Sequence, residues 1–309
     1  MNAPTLEYPF DAARASIAAY RLEDEGYCIV RGLASPSSMA RIDADLDTDF
    51  RETPFCSGPF YGERTKRFGR LLARSPSVAA LVLQPIILAL ADRILGPWCD
   101  TIQLNVAQAI EVYPDALAQF PHRDQDMWRG TTGKSEYLIN VIWPLTTFTT
   151  DNGATWIWPD SHGANALDET SVREPVVAEC NPGDAIVFLG STLHAAGANV
   201  TRHSRRAIVI GYSLGWLRAY ENQSLAYPPH IARDFPPELA ALVGYRQHRP
   251  NLGNFEGQCP SLLLAGRGEE RLPATDALRP DQAALLAYYV EKQRGERPSG
   301  QETQVAARR

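Results

Sequence analysis

The stretch Gln119–Trp128, QFPHRDQDMW, carries a histidine and an aspartate two apart, His122 and Asp124. On an extended strand, residues i and i+2 face the same side. An imidazole and a carboxylate placed this way can grip one metal ion from one direction. A second histidine from elsewhere would complete a facial triad, a donor set suited to non-haem Fe(II) that leaves positions open for substrate and O2. His194, in GDAIVFLGSTLHAAGAN, is the candidate third donor. An H-x-D triplet alone is a weak signal, and a lone histidine at a strand end is more often a hydrogen-bonded residue than a ligand. The reading rests on the two occurring together.

An open Fe(II) site of this kind needs a source of electrons. A keto acid can supply them, chelating iron through its 2-oxo acid end while its distal carboxylate meets a fixed cation. Arginine suits that bidentate task. Arg205 and Arg206 begin the strand that follows His194, RRAIVIGYSLGW. Neighbours on a strand face opposite ways, so one arginine points inward and the other is expected to be a solvated surface residue. The spacing alone leaves open which is which.

The elements that must position these groups follow from periodicity. Residues 11–26 read as a helix ending at Gly26, and YCIVRGL as a strand. Ser35 and Pro36 begin a second amphipathic helix, as N-cap and first helical residue. TPFCSGPFYGERTKRFGRLL, rich in Gly, Pro and aromatics, reads as irregular, with Phe60 and Tyr61 as lid candidates. Ser75-Pro76 opens a third helix, and LVLQPIILALADRIL reads as a buried helix closed by Leu95-Gly96-Pro97. From Asp100 the texture becomes β: TIQLNVAQAIEVY, YLINVIWPLTTFT, ATWIWP, PVVAEC, DAIVFLG and RAIVIGYSLGW, divided by turn clusters such as Asn181-Pro182-Gly183-Asp184. Many short strands with Gly/Pro turns indicate a sandwich, barrel or jelly roll. We expect one domain over residues 1–295, with a β core at about 100–216 wrapped by helices from both ends, and a disordered polar tail at 296–309.

Composition narrows the function classes. The chain has 309 residues, 44% hydrophobic and 21% charged, enough to bury a sizeable core. A net charge of -6 without a basic stripe gives no footprint for nucleic acid. The most apolar stretch is too short and interrupted to span a bilayer. Five cysteines without C-x-x-C spacing, and no leader-like N-terminus, point to free thiols in the cytoplasm.

His122-x-Asp124, His194, Asn199 and Arg205, the last eleven positions after the second histidine, together resemble the phytanoyl-CoA dioxygenase family of Fe(II)/2-oxoglutarate oxygenases. FYGERTKRFGRLLARSP, HRDQDMW, NGATWIWPDSH, LGSTLHAAGAN and GYSLGWLRAYENQSL are similar to its branch of small-molecule oxygenases from natural-product pathways. The resemblance runs from about Tyr27 to Leu264. It implies a mainly β fold with flanking helices, a cupin-like double-stranded β-helix or jelly roll. It implies His122, Asp124 and His194 as iron ligands and Arg205 as the clamp for 2-oxoglutarate, with O2 as second cosubstrate. Gln119 and Thr155 match positions that contact the cosubstrate in that branch. Asn140, mid-strand behind the site, is a further candidate.

The implied reaction is oxidation of a small, largely apolar metabolite by hydroxylation, desaturation or ring rearrangement. Phytanoyl-CoA enzymes carry a serine two places after the second histidine, where this chain has Ala196. No basic cluster near the site suits a CoA phosphate, and both points argue against an acyl-CoA substrate. Asp124 as a carboxylate ligand argues against a halogenase. The competing readings are a non-redox, metal-binding cupin-like isomerase or sensor, which would not need Arg205 or Gln119, and a zinc hydrolase, for which no oxyanion donor or general base is evident. Among the aromatics, Trp128, Trp143, Trp156 and Trp158 are pocket candidates, Trp128 foremost. The loop-rich C-terminal region holds Leu252, Phe255 and Leu262–Leu264, which need cover. By resemblance, that region forms a homodimer and shapes the site mouth.

Overall fold

The computed structural model describes residues 11–130, 133–168 and 173–296. The tail expected at 296–309 lies outside these, apart from its first residue, which ends the last helix.

The chain begins with α1 (Ala12–Glu25), capped by the Asp11 carboxylate and closed by Gly26 in the left-handed conformation. β1 (Tyr27–Val30) and α2 (Pro36–Glu52) follow, the latter N-capped by the Ser35 hydroxyl as its sequence predicts. The segment read as irregular contains a strand, β2 (Thr65–Phe68). Three of its four residues are polar, and Lys66 and Arg67 each have a task on opposite faces. Lys66 donates to the carbonyls of Phe50 and Arg51 at the end of α2, at 2.8 and 3.0 Å, while Arg67 faces the cavity described below.

A short helix, α3 (Leu71–Arg74), precedes α4 (Val78–Val82) and α5 (Pro85–Leu95). The apolar stretch is therefore two helices rather than one. Gln84 separates them, its side-chain oxygen accepting from the backbone N–H groups of Ile86 and Ile87 at 2.7 and 3.1 Å. Pro85 then stands at the first helical position, where its missing N–H costs nothing.

The β centre comprises β3 (Ile102–Val112), β4 (Leu138–Pro144), β5 (Thr155–Ile157), β6 (Val176–Val177), β7 (Ala185–Leu189), β8 (His194–Ala196) and β9 (Arg205–Leu214). A six-stranded antiparallel sheet runs β1-β7-β4-β9-β3-β2, and a small sheet runs β6-β5-β8. The β centre thus borrows β1 and β2 from outside the expected 100–216 span. They cover the exposed edges of β7 and β3.

Alternation assigns the faces of the large sheet. Ile139, Val141 and Trp143 on β4, and Ile208, Ile210 and Tyr212 on β9, join the cluster that contains the buried residues of α1, α2 and α5. Each fully buried side chain of this size contributes roughly 1.5–3 kcal/mol. Residues of the opposite parity, Leu138, Asn140 and Ile142 on β4 and Arg205, Ala207 and Val209 on β9, line a cavity instead. Because β4 is covered on both sides it reads as a nearly continuous apolar run.

The turn before β7 shows why it carries glycine. Gly183 has φ +98°, and a Cβ there would sit 2.3 Å from the carbonyl oxygen of Ala34. After β9 come α6 (Gln223–Ala226), α7 (Pro229–Ala232), α8 (Pro237–Leu242) and, beyond an irregular stretch, α9 (Pro280–Glu296). All five cysteines are free, and burial lifts the thiols of Cys28 and Cys180 to about 12. Among the described residues, no helix is long and apolar enough to cross a membrane.

Candidate active site

His122 and His194 meet through the backbone. Each donates its N–H to the other's carbonyl at 3.0 Å, making a directly opposed antiparallel pair. Directly opposed residues present their side chains on one face, and the two rings stand 4.4 Å apart. Asp124, two residues after His122, turns the same way. Its Oδ1 lies 3.4 Å from His122 Nε2, and its Oδ2 lies 3.6 Å from His194 Nε2. One donor atom from each residue falls within 4.8 Å of the other two.

The outer nitrogens fix which atoms are free. His122 Nδ1 lies 2.9 Å from the carbonyl of Phe120, and His194 Nδ1 lies 3.1 Å from that of Thr192. A carbonyl only accepts, so each Nδ1 carries a hydrogen and, in the neutral ring, each Nε2 presents a lone pair to the centre of the group. Asn140 donates to Asp124 Oδ2 at 2.9 Å and so orients the carboxylate. Asn140 thus acts through Asp124.

The charges suit a cation. Burial works to raise the pKa of Asp124, but the imidazoles of His194 and His122 and the guanidinium of Arg67 hold it below the ordinary carboxylate value. Burial lowers the pKa of His194 and keeps it in the neutral form that ligates. At His122 burial acts the same way, but hydrogen bonding and charge attraction to Asp124 outweigh it and raise the pKa.

The group opens onto a cavity of about 870 Å³. Arg205 points into it from the start of β9 and is 4% exposed. Its Nη2 donates to the Gly153 carbonyl, its guanidinium stacks 4.3 Å from the centre of the Phe148 ring, and its Nε has no partner. Gly153 sits in a turn with φ +85°, where a Cβ would press within 2.9 Å of the Gly197 carbonyl. Burial, with Arg67 as a like charge, pushes the Arg205 pKa down to about 9. No carboxylate among the described residues pairs with Arg205. A buried cation of this kind is costly unless an anion arrives, so the site fits a dicarboxylate that also reaches the metal group.

Thr155 is buried and lines the same cavity. Gln119 lines it too, with its amide oxygen accepting from Ala196 N at 3.3 Å and its nitrogen donating to Phe60 O at 3.4 Å. Phe60 lies edge-on to His122, 4.9 Å between ring centres, and Tyr61 joins it on the cavity wall. Asn199 is fully buried and structural: it donates to the carbonyls of Val112 and His203 and sets the turn that delivers β9.

Three expectations are corrected. Arg206 is not a solvated surface residue. On the outer face of β9 it pairs with Glu111 at 2.9 Å, Asp43 at 3.2 Å and Asp47 at 3.1 Å, tying the sheet to α2. None of the four tryptophans lines the cavity; Trp128 turns away and donates to the Arg218 carbonyl at 3.0 Å. The third correction is an omission. Arg67 on β2 faces the cavity, with its Nε unpartnered and its guanidinium 4.9 Å from the centre of the Tyr61 ring. Reading TKRF as a strand would have put Arg67 on the face opposite Lys66 and exposed the signal.

Residues 22–207 match the phytanoyl-CoA dioxygenase family. The multifunctional dioxygenase prhA of Penicillium brasilianum is 29% identical over 265 residues, covering 80% of this chain and 88% of that protein. The multifunctional dioxygenase ausE of Emericella nidulans is 30% identical over 258 residues, covering 78% and 86%. Among solved structures, the non-haem α-ketoglutarate-dependent epimerase SnoN from nogalamycin biosynthesis shares the fold. It superposes with a TM-score of 0.57 at 21% identity over 67% of this chain and 85% of its own.

Proposed function

Because the chain belongs to the phytanoyl-CoA dioxygenase family, we propose a residue-by-residue assignment of its site. The protein is a 2-oxoglutarate-dependent non-haem iron dioxygenase. When bound, Fe(II) with 2-oxoglutarate and O2 supplies an oxidant able to remove hydrogen from an unactivated carbon.

His122, Asp124 and His194 would hold the iron, with the cavity beside them open to cosubstrate and substrate. Arg205 would take the distal carboxylate of 2-oxoglutarate, and Thr155 and Gln119 on the wall of the same cavity would contact the cosubstrate. Arg67, whose charge acts on Asp124 from the cavity wall, would help to balance the negative charge that the oxo acid brings. Phe60 covers His122 and limits access of water. The observation that carries this reading is the pairing of a three-donor group with a buried arginine that lacks a carboxylate, both facing one cavity.

The substrate is a small, largely apolar metabolite of secondary metabolism. Val106, Ile110, Leu138, Ile142 and Val209 supply an apolar wall, and the volume leaves room beside the cosubstrate. In SnoN, a structural neighbour, Fe3+, α-ketoglutarate and nogalamycin RO occur in one complex. The outcome is hydroxylation, desaturation or ring rearrangement. We further propose that the two sheets form a double-stranded β-helix, that residues 1–295 are one domain, and that the protein acts in the cytoplasm as a homodimer. The exposed apolar face of α9 supports the last.

The test is spectroscopic. Anaerobic protein with one Fe(II) per chain should develop a weak visible band on addition of 2-oxoglutarate. His122→Ala and His194→Ala should each abolish it. A band that survives both changes would show that other residues bind the iron.

A further inference from the structure

The cavity holds a polar feature that neither the iron group nor the 2-oxoglutarate residues use. Tyr61 and Tyr220 both line it, and their hydroxyls hydrogen-bond to each other. They come from distant parts of the chain. Tyr61 lies in the loop before β2, with Phe60 at its side and Arg67 beneath its ring. Tyr220 lies in the segment after β9.

That segment is firmly anchored. β3 carries an irregularity between Leu104 and Val106, which frees Asn105 from the ladder. Asn105 accepts from Tyr220 N at 2.9 Å through its side chain and from Glu221 N at 3.0 Å through its carbonyl. The Glu221 carboxylate in turn accepts from Arg70 N at 2.7 Å, and Trp128 holds Arg218. The Tyr220 ring is thus held at the cavity by β3 itself.

Burial, together with the Tyr61 hydroxyl, raises the Tyr220 pKa well above an ordinary phenol, so it is a neutral donor at physiological pH. Each phenol can donate once and accept. Pairing uses one donated hydrogen between them and leaves the other available. Of the polar groups beside the pair, Asn105 is engaged by Tyr220 N and Gln108 accepts from Arg67 at 3.5 Å, while Val106 and Ile110 are apolar. One polar point in an apolar site is enough to orient a rigid molecule, which has little conformational freedom to lose.

Resting on the oxygenase reading, we propose that the Tyr61–Tyr220 pair is a specificity-determining contact. It hydrogen-bonds a carbonyl or hydroxyl oxygen on an otherwise apolar, ring-bearing substrate and sets which carbon faces the metal. An analogue without the oxygen leaves the pair intact and its spare hydroxyl hydrogen to water, since Tyr220 is 44% exposed, so no polar group is stranded. Discrimination is then about tenfold, the worth of one net hydrogen bond.

The test uses androstanone, a rigid apolar ketone, and androstane, the same skeleton without oxygen. Binding is measured by equilibrium dialysis, on metal-free protein and on protein loaded anaerobically with Fe(II) and 2-oxoglutarate. Wild type should bind the ketone about tenfold tighter. In Tyr61→Phe/Tyr220→Phe, which keeps both rings, the ratio should fall to about one. In wild type the ketone should also perturb the near-ultraviolet tyrosine spectrum. A ketone preference in metal-free protein, together with no 2-oxoglutarate band once Fe(II) and 2-oxoglutarate are added, would overturn the iron assignment and leave the phenol contact standing. Equal binding of the two probes by wild type, no ketone binding, or a preference retained in the double variant would overturn the phenol contact itself.

Discussion

Two adjacent arginines show how much a single residue's facing decides. Arg205 and Arg206 differ by one place on β9, and that turns one into a buried cavity cation and the other into an outer-face clasp. Arg205→Ala should raise the 2-oxoglutarate concentration for half-maximal turnover by about 10–100-fold, because a charge-assisted pair in a desolvated site is lost. A titration of initial rate against 2-oxoglutarate measures this. Arg206→Ala should leave that requirement near wild type but cost about 3 kcal/mol of stability, since the buried Glu111 carboxylate loses its cationic partner and keeps the Ser204 hydroxyl. Urea unfolding measures the second. The reverse pattern would mean that the strand faces the other way, a slip that inverts every side chain on it.

The elements around the β centre are held by a few polar fasteners between segments far apart in sequence. The Asp100 carboxylate, just before β3, accepts from the backbone N–H of Arg249 at 2.9 Å and from its Nε at 2.8 Å. His248 beside it accepts from Asp100 N at 3.1 Å. These bonds dock the irregular C-terminal stretch against the start of the sheet. The hydrogen bonds from Arg249 hold the Asp100 pKa below the ordinary carboxylate value, against the opposing effect of burial. A carboxyl depressed in the folded state stabilises fully above its unfolded pKa, about 3.9, and loses that contribution as pH falls through the folded value. Asp100→Asn should therefore unfold at lower urea than wild type at pH 7, and the gap should close only below about pH 4. A gap that is constant across the acid range would show that the charge is not what fastens this segment.

For the molecule as a whole, the unusual feature is α9. Leu285 is 70% exposed, Tyr288 72% and Tyr289 57%. A helix that shows large apolar side chains to solvent needs cover to be stable. Leu263 and Leu264, by contrast, pack on the protein's own core. If a second copy covers α9, sedimentation at micromolar protein should give a dimer, and truncation after Arg279 should give a monomer that still forms the 2-oxoglutarate band. A full-length chain that stays monomeric at every concentration would end the dimer assignment.

Some of this was written in local sequence. His122-x-Asp124 is a period-two pattern, and a period-two pattern fixes a shared face as soon as the backbone is extended. The Ser35-Pro36 cap, Gly26 and the Pro182-Gly183 turn are local conformational preferences, legible without any partner. β4 and β9 were legible as strands because their apolar runs are continuous. Tertiary structure alone decided the rest. That His194 opposes His122 depends on the register between two segments 72 residues apart. That Arg205 faces in depends on the parity of β9 against β3 and β4. TKRF became a strand because the edge of β3 needed a partner, and its polar residues gave no sign of that by themselves. The Tyr61–Tyr220 contact joins a loop to a segment 159 positions later. Local preference acts over a few residues. Register, facing and cavity walls are set by which surfaces bury one another, a property of the folded chain as a whole.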